Sequence, residues 1–267
     1  MRHPCAFLLS LALAAGTAGT AATARAGVED VKTPRGETVR LLVETAGKPW
    51  VTVVLFAGGA GVMDISEDGK IGKLGGNFLV RTRRHFRAAG AVTAVIDAPT
   101  DRRNSLHGFR DSRDHADDVL AVVRHLKEKY KFPVWLIGTS RGTESAANAG
   151  VRLSGVDGGP AGIVLTSSML VQHPKYGGYI LAQDLGKVTM PVLIAHHKDD
   201  ACEWTPAAKV PAAKAALANA RPVKALIYEG GTGIKGDACG AYHYHGYRGI
   251  ELNVIADIMA WIRNPAP

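Results

Sequence analysis

Residues 134–150, VWLIGTSRGTESAANAG, constrain this chain more than any other stretch, because an apolar run breaks at Gly-Thr-Ser-Arg-Gly and passes at once into small, helix-compatible residues. Gly138 and Gly142 flank Ser140, so a sharp strand-to-helix turn can hold a strained serine without side-chain clashes and leave its hydroxyl exposed above a sheet edge. A serine in an ordinary glycine-rich turn has the same five residues. The motif therefore predicts a nucleophile only if a buried strand, an acid and a histidine occupy the places that chemistry requires.

The rest of the chain supplies strands alternating with helices. Residues 37–45 alternate (Val39, Leu41, Val43) as a strand with one solvated face does, and residues 50–56, WVTVVLF, form the near-continuous apolar run of a strand covered on both faces. That run empties into Ala57-Gly58-Gly59-Ala60-Gly61, where glycines let backbone N–H groups approach a ligand, the natural place for an oxyanion hole. A dinucleotide loop is the competing reading, but the full G-x-G-x-x-G spacing is missing and no cofactor is expected. Residues 77–89 are predicted as a helix stopped by Gly90, residues 91–96 as a strand, and residues from Ser112 onward as an amphipathic helix carrying His115 and His125, both read as surface or structural. Further strands are predicted at 132–137, 163–167, 190–196 and 223–228, with helices at 206–220, kinked or restarted early at Pro211, and at 250–262. This order implies an α/β fold with a mostly parallel central sheet and helices on both faces. About two dozen residues separate the strands at 163–167 and 190–196, which leaves room for a minimal cap at most.

Composition matters at the N-terminus and for partners. A basic start, an apolar run at 6–15 and Ala24-Arg25-Ala26 make residues 1–26 look like a secretory signal peptide, leaving residues 27–267 as one exported domain. The apolar run is too short to span a bilayer. Removing that leader takes away Arg2, Arg25 and Cys5 and lowers the formal net charge from +8 to +6. The remaining Lys and Arg are scattered, with no aromatic-interleaved basic stripe, so nucleic acid is not an expected partner.

A serine hydroxyl needs an imidazole to take its proton and a carboxylate to orient that imidazole. The acid should follow a late strand, where His197-Lys198-Asp199-Asp200 offers two candidates; strand-plus-turn length favours Asp200. The histidine should lie between the last strand and the final helix, where Tyr242-His243-Tyr244-His245-Gly246 stands, and His245 is preferred for its place before Gly246 and the closing helix.

With Ser140, Asp200 and His245 in this order, the chain from about residue 37 to the final helix resembles the α/β-hydrolase superfamily. The resemblance implies Ser140 as nucleophile, His245 as general base and acid, Asp200 as its orienter, and an oxyanion hole from the backbone N–H groups of Arg141 and Gly59. The family often has His where this chain has Ala57, which leaves the second donor between Gly59 and Ala60, and His-His-Lys before the acid leaves Asp199 beside Asp200. The expected substrate is a small carboxylic ester. Arg141 itself is read as a solvated residue opening the elbow helix, with an acidic substrate group as the alternative. Cys202 lies two residues after Asp200 and Cys239 six before His245, so loops that meet at the site would bring them within disulfide range. Two other readings compete. His196, His197, Asp199, Asp200, His243 and His245 could converge on a metal, which would leave the serine turn without a role, and the fold could serve as a non-catalytic binding module.

Overall fold

The computed structural model describes residue 1, residues 25–45 and residues 47–267, so most of the leader read at 1–26 lies outside the described residues. Eight strands form one sheet: β1 (Arg25–Lys32), β2 (Thr38–Thr45), β3 (Val51–Phe56), β4 (Ala91–Ile96), β5 (Val134–Thr139), β6 (Gly162–Thr166), β7 (Val192–His197) and β8 (Val223–Tyr228), in the spatial order β1-β2-β4-β3-β5-β6-β7-β8. The β1–β2 and β2–β4 pairs are antiparallel and the other five are parallel. This is the mostly parallel sheet that the alternation of elements predicts. β1 is an addition: Arg25 and Ala26, counted above with the leader, open a strand whose outer edge is unpaired among the described residues.

Two helical layers cover the sheet. Along β3, Val54 and Phe56 face one core while Val53 and Leu55 face the other, and β5 divides in the same way into Val134 and Leu136 against Trp135 and Ile137. The period of two along each strand is what makes both faces apolar. Helices α2 (Arg113–Tyr130), α3 (Gly142–Leu153) and α4 (Val210–Ala216) pack on the first face, and α1 (Phe78–Ala88) and α5 (Glu251–Arg263) on the second. Local signals set the ends of these helices. Asn77 caps α1 through the N–H of Leu79, and Ser112 caps α2 through the N–H of His115.

The helix expected over 206–220 is much shorter. A single turn at Ala207–Lys209 precedes α4, which has Pro211 in its first turn and ends at Ala216. Proline is tolerated there and nowhere deeper in a helix, so the alanine-rich stretch starts afresh at this point, the restart expected at Pro211. Between β6 and β7 the chain makes a bridged turn at His173–Gly177 and two short 3-10 turns, Ile180–Ala182 and Leu185–Lys187, which is the minimal cap the spacing allowed.

Residues 138–142 are packed tightly against backbone. A Cβ on Gly142 would stand 2.1 Å from the carbonyl oxygen of Phe56 at the end of β3, and one on Gly138 would stand 2.4 Å from the carbonyl oxygen of Gly142. Both obstacles are backbone and have nowhere to go. Gly142→Ala should therefore lower the unfolding free energy by about 2–4 kcal/mol, while Gly27→Ala, where an added Cβ meets nothing within 4 Å, should change it by about 0.5 kcal/mol or less. Urea denaturation of the two variants checks this, and equal midpoints would show that the turn can relax.

Candidate active site

Strand β5 delivers Ser140 into the left-handed region at φ +53°, a conformation that costs a residue with a side chain about 1–2 kcal/mol. The surroundings hold it there. Its N–H donates to the carbonyl of Thr166 on the neighbouring strand, while its own carbonyl accepts from the N–H and hydroxyl of Thr143 in the first turn of α3. Gly58 at the exit of β3 comes so close that a Cβ there would lie 3.0 Å from the Cβ of Ser140. Arg141 N-caps α3, where the first backbone N–H groups have no intrahelical acceptor, and Gly59 turns the chain at φ +55° beside it. These are the two expected oxyanion donors. Ser140 and Gly59 border two adjoining cavities, one of about 300 Å³ and one of about 390 Å³, whereas Ala60 borders the larger one only.

The acid and the histidine come from loops after β7 and β8. Nδ1 of His245 lies 3.0 Å from Oδ2 of Asp200, and both side chains are buried. Burial by itself pushes the Asp200 carboxyl up, but His245, the N–H of Cys202 and the hydroxyl of Thr205 outweigh it and hold this carboxyl below its ordinary range. Asp199 is half exposed and reaches only His197, at 3.9 Å. His245 lines the smaller cavity together with Ser140, Asn77 and Phe78. Among the described residues no direct hydrogen bond joins it to the serine hydroxyl. His243, one pleat away, packs edge-on to Tyr244 with its Nδ1 buried and unpartnered.

Several residues that hold these loops escaped the sequence reading. Thr205 donates its hydroxyl to Oδ2 of Asp200 at 2.9 Å and lies 3.2 Å from Nδ1 of His245. Tyr247 donates to the carbonyl of Ala195 and accepts from the N–H of Ser167, whose hydroxyl in turn donates to the carbonyl of His245. Arg81 donates to the carbonyl of Gly246. Nothing in the sequence marks these, because Tyr247, Ser167 and Arg81 act on segments distant in the chain and Thr205 is aimed at Asp200, five residues away, only by the turn between them.

The disulfide does form. Cys202 and Cys239 are bridged with a Cα–Cα distance of 4.6 Å across 37 positions of sequence. It ties the acid loop to the histidine loop at the mouth of both cavities, where Cys239 is a lining residue.

The histidine and acid cluster behaves otherwise than a metal site. His196 accepts from the N–H of Ser168, His197 meets the carbonyl of Gly230 and stacks on Tyr244, and His245 holds Asp200. Adjacent residues of a strand point to opposite faces, so His196 and His197 cannot share a ligand. Among the described residues no three His, Cys, Asp or Glu side chains gather to hold a metal ion.

Arg141 corrects the sequence reading: its guanidinium is buried, not solvated. It stands 3.3 Å from Glu144, also buried, and donates to the carbonyl of Tyr176. Arg110 is wholly buried beside them, donating to Ser145 and to the carbonyl of Ala57. His115, expected at the surface or as a structural group, is structural: it is buried between Phe56 and Phe109, and burial pushes its imidazole down to about 3.

No family model matches this chain, and no curated protein matches it. Among solved structures it is similar to an α/β serine hydrolase without lid from Xanthomonas campestris (TM-score 0.59, 15% identity, 91% of this chain and 96% of that one). It is also similar to an esterase from Pyrococcus furiosus (TM-score 0.63, 11% identity, 90% of each chain) and to a dienelactone hydrolase from Anabaena variabilis (TM-score 0.60, 12% identity, 90% and 97%). At these identities the likeness is one of fold.

Two measurements test this arrangement. In the chain-entropy account, a bridge closing 37 positions stabilises the fold by about 4 kcal/mol, so replacing both cysteines by serine should lower stability by about that amount in denaturant titrations, and an unchanged midpoint would deny the bridge any role. Glu144 gives the second test. Burial, only partly opposed by Arg141 and then Arg110 and reinforced by Asp111, pushes its carboxyl up to about 7. Its folded value thus lies above the ordinary 4.5, so the folded chain holds a proton that the unfolded chain has lost, and stability falls as pH rises from about 4.5 to just above 7. Relative to Glu144→Gln, the protein should lose about 3 kcal/mol over that window. Parallel stability profiles for the two would contradict the buried carboxyl.

Proposed function

We infer that this chain, whose fold is that of the α/β-hydrolases, is a serine hydrolase that cleaves a small carboxylic ester through an acyl-enzyme intermediate. The observation that carries the reading is the convergence of a serine at φ +53° and a histidine 3.0 Å from a buried aspartate on one cleft. His245, with Nδ1 engaged by Asp200, takes the proton of the Ser140 hydroxyl at Nε2 as the oxygen attacks the ester carbonyl. Negative charge then develops on the carbonyl oxygen, and the N–H groups of Arg141 and Gly59 receive it. His245 returns the proton to the departing alcohol. Water, activated by the same imidazole, releases the acid and restores the serine. Thr205 keeps the aspartate and imidazole aligned through both half-reactions.

Cavities of about 300 and 390 Å³ beside the serine suit short or compact esters. The disulfide fits an oxidising, exported location, and no helix among the described residues is long and apolar enough to cross a membrane.

Labelling with a fluorophosphonate tests the nucleophile: the label should appear on Ser140, vanish in Ser140→Ala and be indifferent to chelators. On aryl esters Ser140→Ala and His245→Ala should each lose about 1,000-fold or more in kcat, while His243→Ala keeps most of its turnover. A dead His243→Ala with an active His245→Ala would overturn the assignment.

A further inference from the structure

The two cavities that meet at Ser140 differ in chemistry. The smaller is bordered by His245, which must protonate the leaving oxygen, so the alcohol part of an ester belongs there. The acyl part is left to the larger cavity, lined on its far side by His107, Arg141, Met169, His173, Tyr176 and Trp204.

That wall is aromatic and carries excess positive charge. His107 stacks on Tyr176 at 4.1 Å, Tyr176 meets His173 at 4.6 Å, and His173 meets Trp204 at 4.4 Å, giving a continuous row of rings. The Arg141 guanidinium lies over the Tyr176 ring, 5.5 Å from its centre, with Nε and Nη1 buried and without a hydrogen-bond partner among the described residues. Arg110 behind it is bonded to neutral groups only, namely Ser145 and the carbonyls of Ala57 and Gly59. One carboxyl, Glu144, faces two buried guanidinium groups, and burial opposes its ionisation. Buried charge without a counter-charge is costly, and an anionic group brought in by a ligand relieves that cost.

We propose that the acyl group of the substrate ends in a carboxylate, which Arg141 receives against the row of rings, so that this protein selects half-esters of dicarboxylic acids over neutral esters of the same length. The proposal rests on the serine-hydrolase reading, and two arms of the test keep the two apart.

In the first arm, the 4-nitrophenyl half-ester of adipic acid is compared with 4-nitrophenyl hexanoate, which has the same leaving group and chain length but no charge. The native protein should favour the half-ester by about 10-fold or more in kcat/KM. Arg141→Gln should bring that ratio to about one, chiefly through KM, and Arg141→Lys should restore part of it. A native preference for the hexanoate, or a ratio that survives Arg141→Gln, overturns the proposal. The second arm needs no turnover: calorimetry on Ser140→Ala should show binding of monomethyl adipate and much weaker binding of methyl hexanoate. If neither nitrophenyl ester is cleaved, the hydrolase reading fails, and this arm still decides the anion site. Equal or absent binding of the two methyl esters then counts against it.

Discussion

Everything at the site depends on one backbone constraint, a serine held at positive φ between two glycines whose missing side chains let three segments touch. Gly142 lies against the end of β3, Gly138 against Gly142, and Gly58 against the serine itself. A chain that gives up any of these contacts can let Ser140 relax toward an ordinary conformation, and the hydroxyl would leave the cleft. The cost of the strained residue is met by the parallel sheet, because β3 and β6 flank β5 and lock the turn from both sides.

Parallel topology also explains why the partners arrive where they do. Each strand from β3 to β8, β4 included, runs the same way, so the loops after β3, β5, β7 and β8 open on one edge of the sheet. The acid loop and the histidine loop are long and would wander without anchors. Tyr247, Ser167 and Thr205 fix them by hydrogen bonds, and the Cys202–Cys239 bridge closes them together. These anchors are buried or nearly so, where a hydrogen bond broken on one side leaves an unsatisfied partner on the other.

Behind the serine the molecule keeps charge where apolar packing would be the simpler solution. Arg110, Arg141 and Glu144 are all buried within the elbow helix and the loop before α2. Replacing such a group by apolar residues is often neutral or stabilising, so its presence marks a place where stability has been traded for a polar environment. The burden falls on the acid: burial pushes Glu144 up to about 7, and burial pushes Arg110 down to about 10, still a cation at neutral pH.

By itself, the sequence determined the layered α/β architecture, the strand-to-helix turn at Ser140 and the small cap, and it pointed to the segments that carry Asp200 and His245, because each rests on local signals: apolar runs of period two, capping residues, glycines at fixed offsets. It also placed both cysteines in loops that had to meet. Local signals failed at β1, whose partner lies across a turn of mixed polarity, and at the end of the alanine-rich stretch before β8, where the helix restarted near Pro211 stops at Ala216 and not at residue 220. Only the tertiary structure decided that Asp200 and not Asp199 faces His245, since neighbouring residues with the same carboxyl differ solely in which way the turn points them. It alone turned Thr205 toward the aspartate and buried the Arg141 side chain that the sequence assigned to solvent. The physical reason is common to all three: the direction of a side chain and the depth of its surroundings are set by how turns and packed segments fold against one another, and no spacing along the sequence encodes them.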